Sequence, residues 1–218
     1  MNPPPKLKGL VDDIVGSYAH NSRLYAFMAA DATHLQIAEF MTWDAAQPPF
    51  SEYLGRWLPR LSPTLAPALE HHIEEEAEGD HAGLFRRMHR ELLGELGEPT
   101  FELEHARLDR LNYLFSAACA AERSVGFFLG GFLATELMSA KRCAQIGAGL
   151  RRVGSKVDLT YFDLHAEADA HHWLEVGTHL IEPGLAAGDI VFEDVQAGVT
   201  QRLESSGAYL KWYETRVL

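Results

Sequence analysis

The sequence predicts an all-α protein, a single bundle of about seven helices spanning residues 1–218. Three observations predict it. Apolar residues recur at spacings of three and four over long stretches. Period-two alternation never runs beyond three or four residues, so strand signals are nearly absent. Gly and Pro punctuation divides the chain into segments of helix length without suggesting separate domains. No internal repeat of 20–50 residues is visible, which excludes a solenoid.

Residues 1–6, with Pro3-Pro4-Pro5, precede the periodic part and are expected to be flexible. From Leu7 to about Ala46 the pattern is helical, with Leu10, Ile14 and Tyr18, then Leu24 and Met28, spaced by four. Pro48-Pro49 stops it, and a short helix runs from Phe50 to about Leu58. Ser62-Pro63 reads as an N-cap followed by proline in the first turn. The helix from about Thr64 carries into the acidic run Glu70–Glu78 and, after Gly79-Asp80, into His81–Leu96. Gly97-Glu98-Pro99 ends it by the Gly-then-Pro rule. The next helix is placed at about 103–121. Ser124–Ile146 is apolar almost all round, the mark of a helix central to its fold. Gly147–Lys156 reads as a loop and Leu159–Ile181 as a long helix broken by Pro183-Gly184. A short turn at Leu185–Ala187 and a last helix from Asp189 to about Val217 complete the chain.

Composition narrows the function. Apolar residues are 47% and charged residues 23% of the 218, which gives ample material for a core. Nineteen Lys and Arg against 31 Asp and Glu leave a net charge of −12, so no nucleic-acid partner is expected: nothing neutralises a phosphate backbone. No apolar run is long enough to span a membrane, the start lacks a secretory pattern, and a cytoplasmic location is expected. Two cysteines, Cys119 and Cys143, are too few for a disulfide scaffold or a thiolate metal knot. Eleven histidines in so acidic a chain require an explanation.

Three segments supply one. His165, Asp169 and His172 stand at i, i+4 and i+7, so on one helix their side chains converge on a point. Two imidazoles and a carboxylate form a donor set that a divalent first-row metal such as iron accepts. The competing reading is a solvated face with an accidental His pair. Glu74, Glu78 and His81 repeat the same spacing, but an acidic run is usually a wet helix face. Gly79 also leaves helix continuity open, and with it Glu75 or Glu76 as the residue that turns inward. Third, Glu136 is the only charge in the most apolar helix, between Arg123 and Lys141-Arg142. A buried carboxylate there costs several kcal/mol unless paired, hydrogen-bonded or metal-bound. Three carboxylates and three imidazoles from separate helices can hold two divalent ions with coordination positions left open. Tyr161, one turn before His165, points toward the same place, as a hydrogen-bond donor, a redox-active phenol or a packed core residue. His171 is read as exposed or hydrogen-bonded to a ligand, and His71 and His72 as solvent-exposed, with a place at the entrance or behind the ligands as the alternative.

These segments resemble the haem-oxygenase-like di-iron oxidases and oxygenases, relatives of the thiaminase and PQQ-synthesis helical fold. The resemblance runs from about His34-Leu35 to Trp173. It rests on the acidic run followed by His81-Ala82-Gly83-Leu84-Phe85, on Glu136 after a Gly-rich apolar stretch, and on Tyr161-Phe162-x2-His165-x3-Asp169-x2-His172. It implies iron ligands at His81, Glu136, His165, Asp169 and His172, with Glu74 as the first glutamate and Glu78 in reserve. It also implies two Fe2+, or a mixed Mn/Fe pair, and O2 as co-substrate. A small carboxylate substrate such as an amino acid or fatty acid would lose a C–H, C–C or C–N bond, in specialised biosynthesis. An external electron source and a homodimer are further expectations. Lys141, Arg142, Arg151, Arg152 and Lys156 are candidates to anchor the carboxylate. The alternatives are a thiaminase-like hydrolase with a cysteine nucleophile and no metal, or a non-catalytic metal-binding protein. For a ferritin-like protein the pairs Glu78-x2-His81 and Glu102-x2-His105 lie too close in sequence.

Overall fold

The computed structural model describes residues 7–104, 107, 109 and 112–218. Among these residues every regular element is helical. In chain order they are α1 (Lys8–Gly16), α2 (Arg23–Ala30), α3 (His34–Ala45), α4 (Phe50–Gly55), α5 (Ala66–Glu78), α6 (His81–Glu95), α7 (Ala117–Glu122), α8 (Val125–Arg152), α9 (Thr160–Glu175), α10 (Glu182–Ala187) and α11 (Phe192–Val217). Short 3-10 turns occur at Leu58–Arg60 and Tyr113–Phe115, and Val176–Ile181 is a π-helical segment. No helix among the described residues is long and apolar enough to cross a membrane.

The predicted central helix is α8. It packs on α2, α9 and α11, and also touches α1 and α3. Phe128, Leu129, Phe132, Leu133 and Ala134 are all fully buried on it. Each large side chain among them contributes about 1.5–3 kcal/mol of transfer free energy. Ser124 caps its first turn by accepting from the Phe127 amide, and Arg151 and Arg152 oppose the negative end of its dipole.

Several boundaries differ from those the sequence predicts. The first helical pattern is cut into α1, α2 and α3 by side-chain caps at Ser22 and Thr33, the latter a full capping box with Gln36. Ser62-Pro63 opens a turn, and regular helix begins at Ala66 with Pro67 in its first turn. The 103–121 helix is not continuous: the backbone is extended at Ser116, which caps α7 through the Cys119 amide. Residues 105, 106, 108, 110 and 111, including His105 of the second Glu-x2-His pair, lie outside the described part, as do residues 1–6. Gly147–Lys156 is not a loop at its start, because α8 continues to Arg152. Gly147 and Gly149 are buried there, and a Cβ on Gly149 would collide with the Met28 carbonyl. Pro183 likewise does not end the helical path, since it sits in the first turn of α10, directly after the π-helical segment.

The α8–α11 crossing brings backbone against backbone. A Cβ on Gly130 would strike the Val195 carbonyl, and one on Gly198 would strike the Phe127 carbonyl. Gly198→Ala is therefore expected to destabilise by about 3 kcal/mol, read by chemical denaturation. An unchanged midpoint would mean that the two helices separate without cost.

Candidate metal centre

Four helices deliver the site. On α5 the residues Leu65, Leu69, His72 and Glu76 follow the 3.6-residue period, so His72 and Glu76 continue a buried leucine stripe. His81 opens α6 after Asp80, whose φ of 45° is left-handed and turns the chain. Glu136 lies midway along α8, and His165, Asp169 and His172 share the inner face of α9.

The side chains assemble as two triplets, each with its donor atoms within 4.8 Å of one another. Glu76, His81 and His165 form the first, and His72, Glu136 and His172 the second. His81 Nδ1 is 3.2 Å from Glu76 Oε2. Glu136 has its two oxygens 3.8 Å from His72 Nε2 and 3.6 Å from His172 Nδ1. Asp169 is 2% exposed, with Oδ1 3.4 Å from His172 Nδ1. His165 Nδ1 lies 2.8 Å from the Tyr161 carbonyl, which can only accept. That nitrogen therefore donates, and Nε2 is the ring nitrogen left for a metal.

Metal fit is tested by the buried donors. His72 Nε2, His81 Nδ1 and His172 Nδ1 are buried and make no hydrogen bond. Orphaned buried polar atoms are rare and costly. Here all three face carboxylates at 3.2–3.8 Å, close to the spacing of about 3–3.5 Å between two donors on one ion with bonds near 2.1 Å. The residues present fit a divalent metal pair.

The charges fit it too. Burial disfavours the His72 and His172 cations, but Glu136, and for His172 also Asp169, outweigh it: His72 is raised above the usual imidazole value and His172 to about 10. Glu76 raises His81 against its burial. Burial pushes the Glu136 carboxyl up, yet His172 and His72 hold it well below the usual range. Burial and the Glu136 charge raise Asp169. Without metal His172 holds a proton where an ion would sit, and His72 and His81 hold theirs more tightly than a free imidazole does. Because their folded values are raised, that stabilisation is complete below an unfolded value near 6.5 and fades as pH rises through the folded ones. The metal-free protein is accordingly expected to lose stability toward pH 10. Metal uptake is expected to release protons, at least the one on His172, and to weaken in acid, measured with an indicator dye. Uptake without proton release would contradict these charge states.

A cavity of about 190 Å3 opens onto the first triplet, Glu136 and Asp169. Phe85 and Phe115 supply apolar wall, and the Tyr161 ring lies tilted against His165 with ring centroids 4.1 Å apart. Arg142 and Arg202 line the same cavity. Arg142 pairs with Asp44, while its Nε is buried without a hydrogen bond. Arg202 donates to Thr135 Oγ1 at 3.0 Å and lies over the Phe115 ring. Burial and then repulsion from Arg142 lower its pKa to about 10.

Of the residues the sequence singles out, His81, Glu136, His165, Asp169 and His172 come together around this space. Glu74 and Glu78 do not: both are exposed and neither joins a triplet. The inward residue is Glu76, whose side chain is 9% exposed. The left-handed Asp80 breaks the helix between Glu78 and His81, which removes the i, i+4, i+7 relation. His72, expected at the surface, is 5% exposed and central. Its place on the leucine stripe is the signal that finds it. His71 and His171 are exposed as expected. Among the proposed anchors only Arg142 lines the cavity. Lys141 donates to Asn21, Arg151 pairs with Asp163, and Arg152 donates to the Ala29 and Ala32 carbonyls.

The chain has no match among curated proteins. A family model described as iron-containing redox enzyme matches residues 45–207, a span that takes in every residue of both triplets. With donor sets that suit iron inside that span, the chain belongs to the iron-containing redox enzyme family.

Proposed function

We propose that this protein is a non-haem di-iron oxidase or oxygenase acting on a small carboxylate substrate. The observation that carries it is the pair of buried triplets with three unpartnered imidazole nitrogens. Glu76, His81 and His165 would hold one ion and His72, Glu136 and His172 the other, with Asp169 beside His172. Carboxylates in both sets suit iron or a mixed manganese–iron pair. When bound, the pair supplies dioxygen activation and the oxidising power to break a C–H, C–C or C–N bond.

The remaining work falls to the protein. Arg142 and Arg202 bring cationic charge to the cavity wall, so they would bind and orient a substrate carboxylate. Phe85 and Phe115 keep water from the reacting carbon. Burial raises the Tyr161 phenol well above its usual value. Its Oη therefore keeps its proton and can donate a hydrogen bond or a hydrogen atom beside His165. A cysteine hydrolase finds no support: Cys119 and Cys143 are buried, burial pushes them up to about 11 and 12, and neither lines the cavity.

Iron-loaded protein is expected to consume oxygen with amino or fatty acids and not with their amides. In Arg142→Gln, KM should rise about tenfold to a hundredfold, the range of a lost charge-assisted contact, with iron content unchanged. Equal turnover of acid and amide would sink the carboxylate assignment.

A further inference from the structure

A second cavity, of about 490 Å3, is lined by His71, His72, Glu175 and His179. It differs from the first in its cations. Arg86, Arg142 and Arg202 line the first cavity beside its carboxylates, whereas no Lys or Arg lines the second. Glu75 stands beside it, with Oε1 3.5 Å from His71 Nε2 and with Oε2 buried and unbonded. His72, Glu75 and Glu175 each offer one donor atom within 4.8 Å of the others. His72 is 5% exposed with its Nε2 unpartnered, and it is the one residue common to this set, the cavity wall and the Glu136–His172 triplet. The wall is completed by Val176, His179 and Leu180 of the π-helical segment, a geometry that often marks functional places in helices.

A cation approaching through the first cavity meets three guanidinium groups among its carboxylates and imidazoles. One approaching through the second meets carboxylates and imidazoles. We infer that His72, Glu75 and Glu175 form a capture site that takes a divalent metal ion from solution and hands it to Glu136 and His172. The ion stays in the same oxidation state, and only its ligands change: the Glu75 and Glu175 carboxylates leave as Glu136 and His172 take their places. Both sets draw on the His72 imidazole, and the hand-over leaves the outer carboxylates free again. This role depends on Glu136 and His172 holding a resident ion, as proposed above.

The test is the rate at which metal-free protein takes up Co2+, followed by its visible absorption in a stopped-flow instrument, with metal content measured at the end. The Glu75→Gln/Glu175→Gln variant changes a half-exposed and an exposed side chain, so its fold should survive. Loading should slow at least about tenfold, the lower range of electrostatic steering by a charged cleft, while final metal content equals that of the wild type. A rate within twofold of wild type overturns the capture role. So does the loss of a full equivalent at equilibrium, which would make these carboxylates resident ligands. His172→Ala tests the inner site separately. If it binds as much metal as the wild type, the resident site fails and the hand-over with it, whereas failure of the double variant alone removes only the capture site.

Discussion

His165→Ala or His172→Ala is expected to lower bound iron from two ions per chain to one or fewer and to cut oxygen uptake at least about a hundredfold. Each residue supplies a nitrogen to a different triplet, so either loss leaves an ion with an incomplete set. Helix content should survive. His165 and His172 sit on α9, whose packing against α8 also rests on Phe162 and Trp173. Stability separates ligand loss from unfolding. Metal at a thousandfold over its dissociation constant adds about 4 kcal/mol to a folded protein. The wild type should gain that increment on iron addition and the variants only part of it, read as thermal midpoints with and without metal. Turnover persisting in either variant would mean that the ligands are wrongly assigned.

The second large effect separates neighbouring glutamates on one helix. Glu76→Gln should empty the His81–His165 site, whereas Glu74→Gln and Glu78→Gln should leave iron content and oxygen uptake within twofold of wild type. On α5 positions 74 and 78 are turned by about 200° from 72 and 76, and both are exposed while the Glu76 side chain is 9% exposed. Gln keeps the shape and one acceptor but removes the charge that offsets the ion. Iron loss on substituting Glu74 or Glu78 would require α5 to be rotated from the orientation seen.

The all-helical class was legible because periodicity is a local property. The leucine, phenylalanine and histidine stripes need no tertiary information, and α8 and α9 carry theirs openly. What stayed hidden depends on contacts between distant segments. Gly147 and Gly149 look like breakers, but they are small because Phe162 and the Met28 carbonyl press against α8. The Glu74–Glu78–His81 spacing is a helical pattern laid across a helix break; Gly79 leaves that break open in the sequence, and the left-handed Asp80 fixes it and selects Glu76. His72 was masked by its neighbours: an adjacent exposed histidine and four glutamates within the next six residues read as a wet face, while the informative partners were Leu65 and Leu69. Arg202 lies on α11, far in sequence from every ligand, and only the α8–α11 crossing brings it to the cavity.

Two iron positions in one chain are the centre of the proposal, and anomalous diffraction locates them. Crystals loaded anaerobically with Fe2+ and measured at the iron edge should give two peaks, one among Glu76, His81 and His165 and one among His72, Glu136 and His172. A single peak, none, or peaks away from these side chains would contradict it.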